Sequence, residues 1–239
     1  ELDPTNRALL FAVAELELVE GRTADGIAHL EEYAGNGPGG AARSEEIVRN
    51  LAKYNQLAAA RRLAMKSGSS GALLEAGLNF LRAGQSSDGA TLIEASYKAA
   101  GDPEQTADAA RKVLTFAMHR PQLLPKTVTT RALELACGGK TVPAICRFWE
   151  ALGILESGSL KEAVTRFDSQ LEGSSETWLY TLAAVRALAR KGAGREAEAL
   201  LRKRMVGFNE AQVLNEAVKT VFTLIEEEPL EEKAQAATL

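Results

Sequence analysis

The chain has 239 residues, of which 46% are hydrophobic and 25% are charged, and its formal net charge is −4. This balance is typical of a folded globular protein and argues against extensive disorder. A net negative charge disfavours general nucleic-acid binding, because phosphates require a basic surface. The longest apolar runs, such as residues 8–14, are far shorter than the ~20 residues of a membrane-spanning helix. We therefore predict neither nucleic-acid binding nor membrane insertion.

The periodicity of apolar residues predicts pairs of helices joined by short turns along the whole chain. In the first pair, Gly21 separates the helices and Thr23 is the predicted cap of the second one. Ser44 and Asp102 are the predicted caps of the helices that open the second and fourth pairs, and Ser159 opens a capping box in the fifth. The helical pattern of the first helix runs from Asn6 to about Glu20, with Leu9, Leu10, Val13 and Leu16 recurring at helical spacing and Glu17 beside them.

The turns recur at a roughly constant interval. Their centres fall near positions 21, 55, 84, 121, 158 and 192, and segments 23–32 and 86–95 place Asp-Gly at the same offset from the turn. Turns that recur at similar intervals, with the same residues at the same offset, indicate a repeat protein. The predicted units are about 7–36, 44–66, 70–100, 103–137, 143–173 and 176–206, followed by a capping helix at 209–228 and a tail at 229–239.

The opening sequence ELDPTN, followed by a helix, a glycine turn and a second helix, resembles the tetratricopeptide repeat, a unit of 34 residues. The first, third, fifth and sixth units carry the resemblance best. It implies an all-α fold, a right-handed superhelical α-solenoid of about six antiparallel helix pairs with a C-terminal capping helix. In that family ELDP-type sequence closes a repeat, so the resemblance also implies that the chain is part of a longer repeat protein.

Cys137 and Cys146 flank the turn GGKTVPAI. Two buried, reduced thiols are the favoured interpretation, because free cysteine is among the most buried residue types. A disulfide is the alternative and would suit an exported protein. The spacing lacks the clustered histidines of a metal site. The compartment stays open between the cytoplasm and the bacterial periplasm.

Catalytic motifs are not recognisable in the sequence. Gly139-Lys140-Thr141 is similar to the end of a phosphate-binding loop, but Glu134 stands where that motif needs glycine, and a predicted helix precedes it. His29 is interpreted as a surface residue of an amphipathic helix and His119 as a helix-terminal cation. We predict no enzyme activity, no cofactor and no metal. An acidic active site assembled only on folding is the remotest alternative.

In tetratricopeptide arrays the first helix of each pair lines a concave face that binds partner segments. The resemblance therefore implies a set of candidate contact residues. For each leucine or phenylalanine in that set, packing between helices is the favoured interpretation. Arg186 and Arg190, one helical turn apart, are better candidates and suit a partner carboxylate or phosphate. The candidates are Phe11, Glu15, Leu18, Leu74, Leu78, Arg82, Phe148, Leu152, Leu182, Arg186 and Arg190.

The leading hypothesis for function is a non-enzymatic scaffold that binds a protein or peptide partner within a larger protein or assembly. The family's clamp for C-terminal carboxylates uses a pattern of lysine and asparagine that this sequence lacks. The alternative is a regulatory domain that binds a small molecule or peptide and signals through fused domains.

Overall fold

The computed structural model describes residues 7–35, 39–139, 142–170 and 177–205. These residues form twelve α-helices and one short 3₁₀ helix, Pro121–Leu123, and no β-strand occurs among them. The all-α prediction is confirmed, whereas the predicted capping helix and tail lie outside the described residues. The helices are α1 (Arg7–Val19), α2 (Thr23–Ala34), α3 (Gly40–Lys53), α4 (Leu57–Ser67), α5 (Ser70–Arg82), α6 (Ser86–Ala99), α7 (Pro103–His119), α8 (Lys126–Cys137), α9 (Ala144–Glu156), α10 (Leu160–Gln170), α11 (Thr177–Arg190) and α12 (Gly194–Met205).

The chain divides into two compact units, residues 1–146 and 147–239. In the first unit each odd-numbered helix packs against the helix that follows it, from α1 with α2 to α7 with α8. In addition, α3 packs against α5, and α5 contacts α7. In the second unit α11 packs against α12, and α10 also contacts α12. Neighbours in sequence are thus the main packing partners in space.

The turns between paired helices adopt the left-handed backbone region. A positive φ occurs at five of the six predicted turn centres, and four of these residues are glycine, which adopts this conformation without steric cost. Near position 121 the 3₁₀ helix replaces the tight turn. The five residues are Gly21, Asn55, Gly84, Gly158 and Gly192.

The predicted helix caps have mixed outcomes. Asp102 caps α7 as predicted, since its carboxylate accepts from the Gln105 backbone N–H at 2.8 Å. Thr23 is the first residue of α2 and not its cap, and its hydroxyl donates to the Gly21 carbonyl. The prediction for Ser44 is wrong, because α3 already begins at Gly40 and Ser44 lies buried within it. Two alanines follow Gly40 and favour this earlier start.

The α5–α6 pair shows why small residues recur at matching positions. A Cβ atom added to Gly89 would lie 2.8 Å from the Gly77 carbonyl oxygen and 2.7 Å from Leu81 Cγ. A Cβ atom added to Gly77 would lie 3.0 Å from the Gly89 carbonyl oxygen. Gly26 of α2 meets Ala14 and Leu18 of α1 in the same way. Close approach of the two backbones therefore requires glycine in the second helix of these pairs.

We expect Gly89→Ala to lower the free energy of unfolding of the first unit by as much as about 2 kcal/mol. Overpacking of about 1–3 kcal/mol outweighs the better helix propensity of alanine, about 1 kcal/mol. Urea unfolding followed by far-UV circular dichroism measures the loss. The matched control is Gly153→Ala, where the added Cβ has nothing within 4 Å. That change should stabilise by about 0.5–1 kcal/mol, and a stabilised Gly89→Ala would refute the close packing.

Salt bridges connect helices that are not consecutive. Arg62 of α4 reaches Glu31 of α2 at 2.6 Å, and Arg61 of α4 reaches Asp88 of α6 at 2.8 Å. These side chains are substantially exposed, so each pair contributes about 0–1 kcal/mol. They show that α4 lies within side-chain reach of both α2 and α6.

Candidate interaction surface

The first helices of the four pairs in the first unit are linked in a row by polar and aromatic contacts. Asn50 Nδ2 of α3 donates to Glu15 Oε1 of α1 at 2.9 Å. Arg49 of α3 reaches Glu75 of α5 at 3.3 Å. Arg82 of α5 lies over an aromatic ring of α7, at 5.3 Å from its centroid. We call the residues that form this row the first-helix face, and they are Glu15, Arg49, Asn50, Glu75, Asn79, Arg82 and Phe116.

Asn50 and Asn79 are the least expected members of the first-helix face. Each lies five residues before its turn residue, Asn55 or Gly84, and they are only 4% and 6% exposed. Asn50 Oδ1 and Asn79 Nδ2 are buried without a hydrogen-bond partner among the described residues. A buried unpaired amide atom costs about 1–3 kcal/mol. Neither residue was singled out from the sequence alone.

A signal for these two asparagines was present in the sequence. Aligning the turn residues Asn55 and Gly84 puts Asn50 and Asn79 at the same repeat position. A polar residue that recurs at the same position of two repeat helices, among apolar neighbours, indicates that both side chains lie in similar surroundings. Nothing in the spacing alone tells whether that environment is buried, and only the packing of α3 and α5 decides it.

In the first unit, three of the predicted contact residues are buried between helices. Leu18, Leu74 and Leu78 are each less than a tenth exposed, which supports the packing interpretation for them. Phe11 is half-buried, with its ring centroid 5.1 Å from that of Tyr33. The charged candidates differ, because Glu15 is half-buried and Arg82 of the first-helix face is exposed.

In the second unit, Phe148 of α9 is 1% exposed and belongs to an aromatic cluster. Its ring centroid lies 5.7 Å from that of Phe167 and 6.1 Å from that of Tyr180. The other candidates reach the surface. Leu152, Leu182 and Arg186 are half-buried and Arg190 is exposed. The last three recur every four residues along α11 and therefore share one face of that helix.

A buried carboxylate holds the turn between α1 and α2. Glu17 is 4% exposed, its Oε1 accepts from Arg22 at 3.0 Å, and its Oε2 lies 2.6 Å from His29 Nδ1. Hydrogen bonding to Glu20, together with the charge of Glu17, raises the pKa of Arg22. His29 has a side chain that is 31% exposed, so it lies at the surface of its amphipathic helix as predicted and contacts Glu17 as well. This cluster is a structural ion pair, since a buried charge requires a partner.

Tyr97 of α6 is another buried titratable group. Burial raises the pKa of its phenol above the ordinary value, the nearby Glu94 carboxylate adds to this rise, and Arg131 opposes it. The phenol is therefore neutral at physiological pH. A neutral buried phenol is unsuited to act as a nucleophile, so Tyr97 is assigned to packing.

Cys137 and Cys146 are joined by a disulfide, with their Cα atoms 5.8 Å apart. The preference for reduced thiols is therefore wrong. The last residue of α8 and the first turn of α9 come within the Cα separation that a disulfide needs. The loop between them includes Lys140 and Thr141 of the phosphate-loop-like sequence, which lie outside the described residues. A helix, α8, and not a strand precedes that sequence.

Among the described residues, no group of three or more histidine, cysteine, aspartate or glutamate side chains is arranged to hold a metal ion. None of the helices from α1 to α12 is long and apolar enough to cross a membrane. The fold defines the class as an all-α protein built from consecutive packed helices. Comparison of the chain with protein-family models, curated proteins and solved structures gave no match.

Proposed function

We propose that the chain is an α-solenoid of about six antiparallel helix pairs, of the tetratricopeptide type, and that it acts as a scaffold for protein interaction. Within the first unit, two layers of helices support this proposal. The first helices are linked from α1 to α7, and the second helix α4 is joined to α2 and to α6 by one salt bridge each. Alternation of two such layers is the arrangement of helix-pair solenoids.

The single observation that carries the proposed function is the first-helix face. Along four consecutive first helices it combines two carboxylates and two guanidinium groups that are exposed or half-buried with two amides and one aromatic ring that are buried. Interfaces between proteins are enriched in such arginine and aromatic groups. In the second unit, Leu182, Arg186 and Arg190 give α11 a face that is apolar and basic. The partner we infer is a protein segment with acidic side chains that pair with these two arginines.

The test uses peptides, because they represent partner segments directly. A phage-displayed random peptide library is selected on the full chain, and the selected peptides are measured by fluorescence anisotropy. We expect Arg186→Glu with Arg190→Glu to weaken binding of acidic peptides at least about tenfold, since each lost charged hydrogen bond costs about 1.5–3 kcal/mol. The melting temperature of the single variant Arg190→Glu should change by no more than about 1–2 °C, because Arg190 is exposed and surface substitutions have small effects.

The matched control is Arg195→Glu. Arg195 is exposed on α12, the second helix of the same pair. It lies in the first turn of α12, where a glutamate suits the helix dipole, so that variant should keep both stability and peptide affinity. Equal binding by the double variant and the wild type would reject α11 as the contact helix.

The disulfide supports one further part of this proposal, the compartment. Disulfides persist in oxidising environments and are rare in the cytoplasm. Of the two compartments left open by the sequence, we infer the periplasm or a comparable oxidising space. Blocking free thiols in protein isolated without reductant should then leave Cys137 and Cys146 unmodified.

A further inference from the structure

The excess negative charge of this chain lies in its last 34 residues. Residues 206–239 contain seven glutamates and two lysines, a formal net charge of −5, whereas the whole chain has a net charge of −4. Residues 1–205 therefore carry a net charge of +1. Five of the seven glutamates fall within the sequence EEEPLEE at 226–232. We call residues 226–232 the acidic segment, and they lie outside the described residues.

The basic side chains of the second unit differ in whether they already have acidic partners. Near the end of α12, Lys203 and Arg204 both pair with Asp168 of α10. Helix α11, in contrast, contains no acidic residue. Its Arg190 is exposed and forms no salt bridge within the described part of the chain. The α11 surface therefore offers positive charge to an acidic group that comes from elsewhere.

The acidic segment is unfavourable unless cations lie near it. Residues 226–228 are three consecutive glutamates in the last turn of the predicted helix 209–228. The carboxyl end of a helix is the negative end of its dipole, so acidic side chains there are disfavoured. Arginine guanidinium groups remove this cost, because they form charged hydrogen bonds with carboxylates. The segment thus needs the kind of group that α11 carries.

The length of the chain is suited to bring the two together. Helices α11 and α12 pack against each other and are joined by three residues, so they are antiparallel and α12 ends near the beginning of α11. Arg190 lies about 20 Å from the beginning of α11, and a helix over 209–228 is about 30 Å long. Such a helix, turned back along α11, would place the acidic segment at the Arg190 end.

We propose that the acidic segment binds the face of α11 formed by Leu182, Arg186 and Arg190, and that it competes there with an acidic partner. This inference rests on the proposed function, because it concerns regulation of the same site. The segment has the chemistry inferred for the partner, with glutamates for the arginines and Leu230 for Leu182. A segment of the same chain has an effective concentration of about 1 mM, so a partner has to displace it.

A competition experiment on the full chain tests this proposal. The probe is a fluorescein-labelled peptide IEEEPLEE, the sequence of residues 225–232, and fluorescence anisotropy measures its binding. For a peptide with a dissociation constant of roughly 0.1 mM, an effective concentration of about 1 mM predicts about tenfold competition. We therefore expect the probe to bind about tenfold more tightly when the acidic segment has lost its charge. The test variant combines Glu226→Gln, Glu227→Gln, Glu228→Gln, Glu231→Gln and Glu232→Gln.

Two further variants show whether the gain in affinity has the proposed cause. Glu210→Gln with Glu216→Gln removes negative charge from the same part of the chain but outside the acidic segment, so it should bind the probe as the wild type does. Addition of Arg186→Glu and Arg190→Glu to the test variant should abolish the gain, because the probe then lacks its cations. Far-UV circular dichroism checks that each variant keeps its helix content.

Carbodiimide coupling gives a second measurement on a chain whose acidic segment is unchanged. In the variant Arg190→Lys, the new amine should couple to a glutamate of the acidic segment within one monomer, as identified by mass spectrometry of proteolytic fragments. Coupling that is absent, or that occurs only between two chains, would overturn the contact within the chain.

The binding experiment separates failure of this inference from failure of the proposed function. Equal binding of the probe by the wild type and the test variant, lost in both with Arg186→Glu and Arg190→Glu, would overturn the competition and leave the α11 site standing. Absence of binding to the wild type and to the test variant would overturn the α11 site and the competition together.

Discussion

Replacement of Phe148 by alanine should lower the free energy of unfolding of the second unit by about 3–5 kcal/mol, the usual cost of removing a fully buried aromatic ring. The ring is 1% exposed and lies between Phe167 of α10 and Tyr180 of α11. Deleting it removes apolar contacts with both helices and leaves a cavity that the neighbouring rings fill only in part. Aromatic contacts of this geometry add about 0.5–1.5 kcal/mol beyond area burial.

Tryptophan fluorescence is the appropriate probe for this experiment. Both tryptophans of the chain, at positions 149 and 178, belong to the second unit. Urea unfolding followed by their emission therefore reports on that unit alone. The control is Leu152→Ala, one helical turn further along α9 and only half-buried, for which we expect a smaller loss of about 1 kcal/mol. If Phe148→Ala keeps full stability and loses peptide binding, Phe148 is a contact residue and not a packing residue.

Removal of the Cys137–Cys146 disulfide should lower the free energy of unfolding of the first unit by about 2.5 kcal/mol. The two cysteines are nine positions apart, and closing a loop of that length removes about this much chain entropy from the unfolded state. For a unit of this size the melting temperature should fall by roughly 5–10 °C. Circular dichroism with and without dithiothreitol gives the measurement.

The paired substitution Cys137→Ala with Cys146→Ala separates reduction from side effects of the reagent. That variant should melt at a similarly lowered temperature, and dithiothreitol should change it no further. Cys146 is buried, so its replacement also removes a small amount of packing, and the variant should be slightly less stable than the reduced wild type. Equal melting temperatures of the oxidised and reduced wild type would show that the loop is already ordered without the bond.

Most of the helix boundaries were predictable because their causes are local. A residue with positive φ lies at five predicted turn centres, such as Gly84 and Asn55, and Asp102 caps α7 through a hydrogen bond three residues away. Each of these effects depends on a few consecutive residues. Gly89 was likewise visible in the sequence, as the glycine of an Asp-Gly pair that recurs from segment 23–32, and the close contact of α5 with α6 explains it.

The candidate surface was less predictable, since it depends on which helix covers which. Periodicity assigns Leu16 to a buried stripe, but no described helix covers that side of α1. The same reasoning gave no warning that Asn50 is buried, because its cover comes from α1, 35 residues earlier. Family resemblance made Phe148 a candidate groove residue with packing as the favoured interpretation, and only the contacts with α10 and α11 show that it is enclosed.

The sequence by itself determined that this protein is all-α and where most of its helices begin and end, because propensity, capping and turn conformation are properties of short segments. The tertiary structure alone decided which apolar faces are buried, that Cys137 and Cys146 come within bonding distance, and that Glu17 lies inside while Leu16 lies outside. These outcomes depend on the approach of segments far apart in the chain. Whether a side chain is buried depends on the helix that packs against it, so burial cannot be predicted from one helix alone.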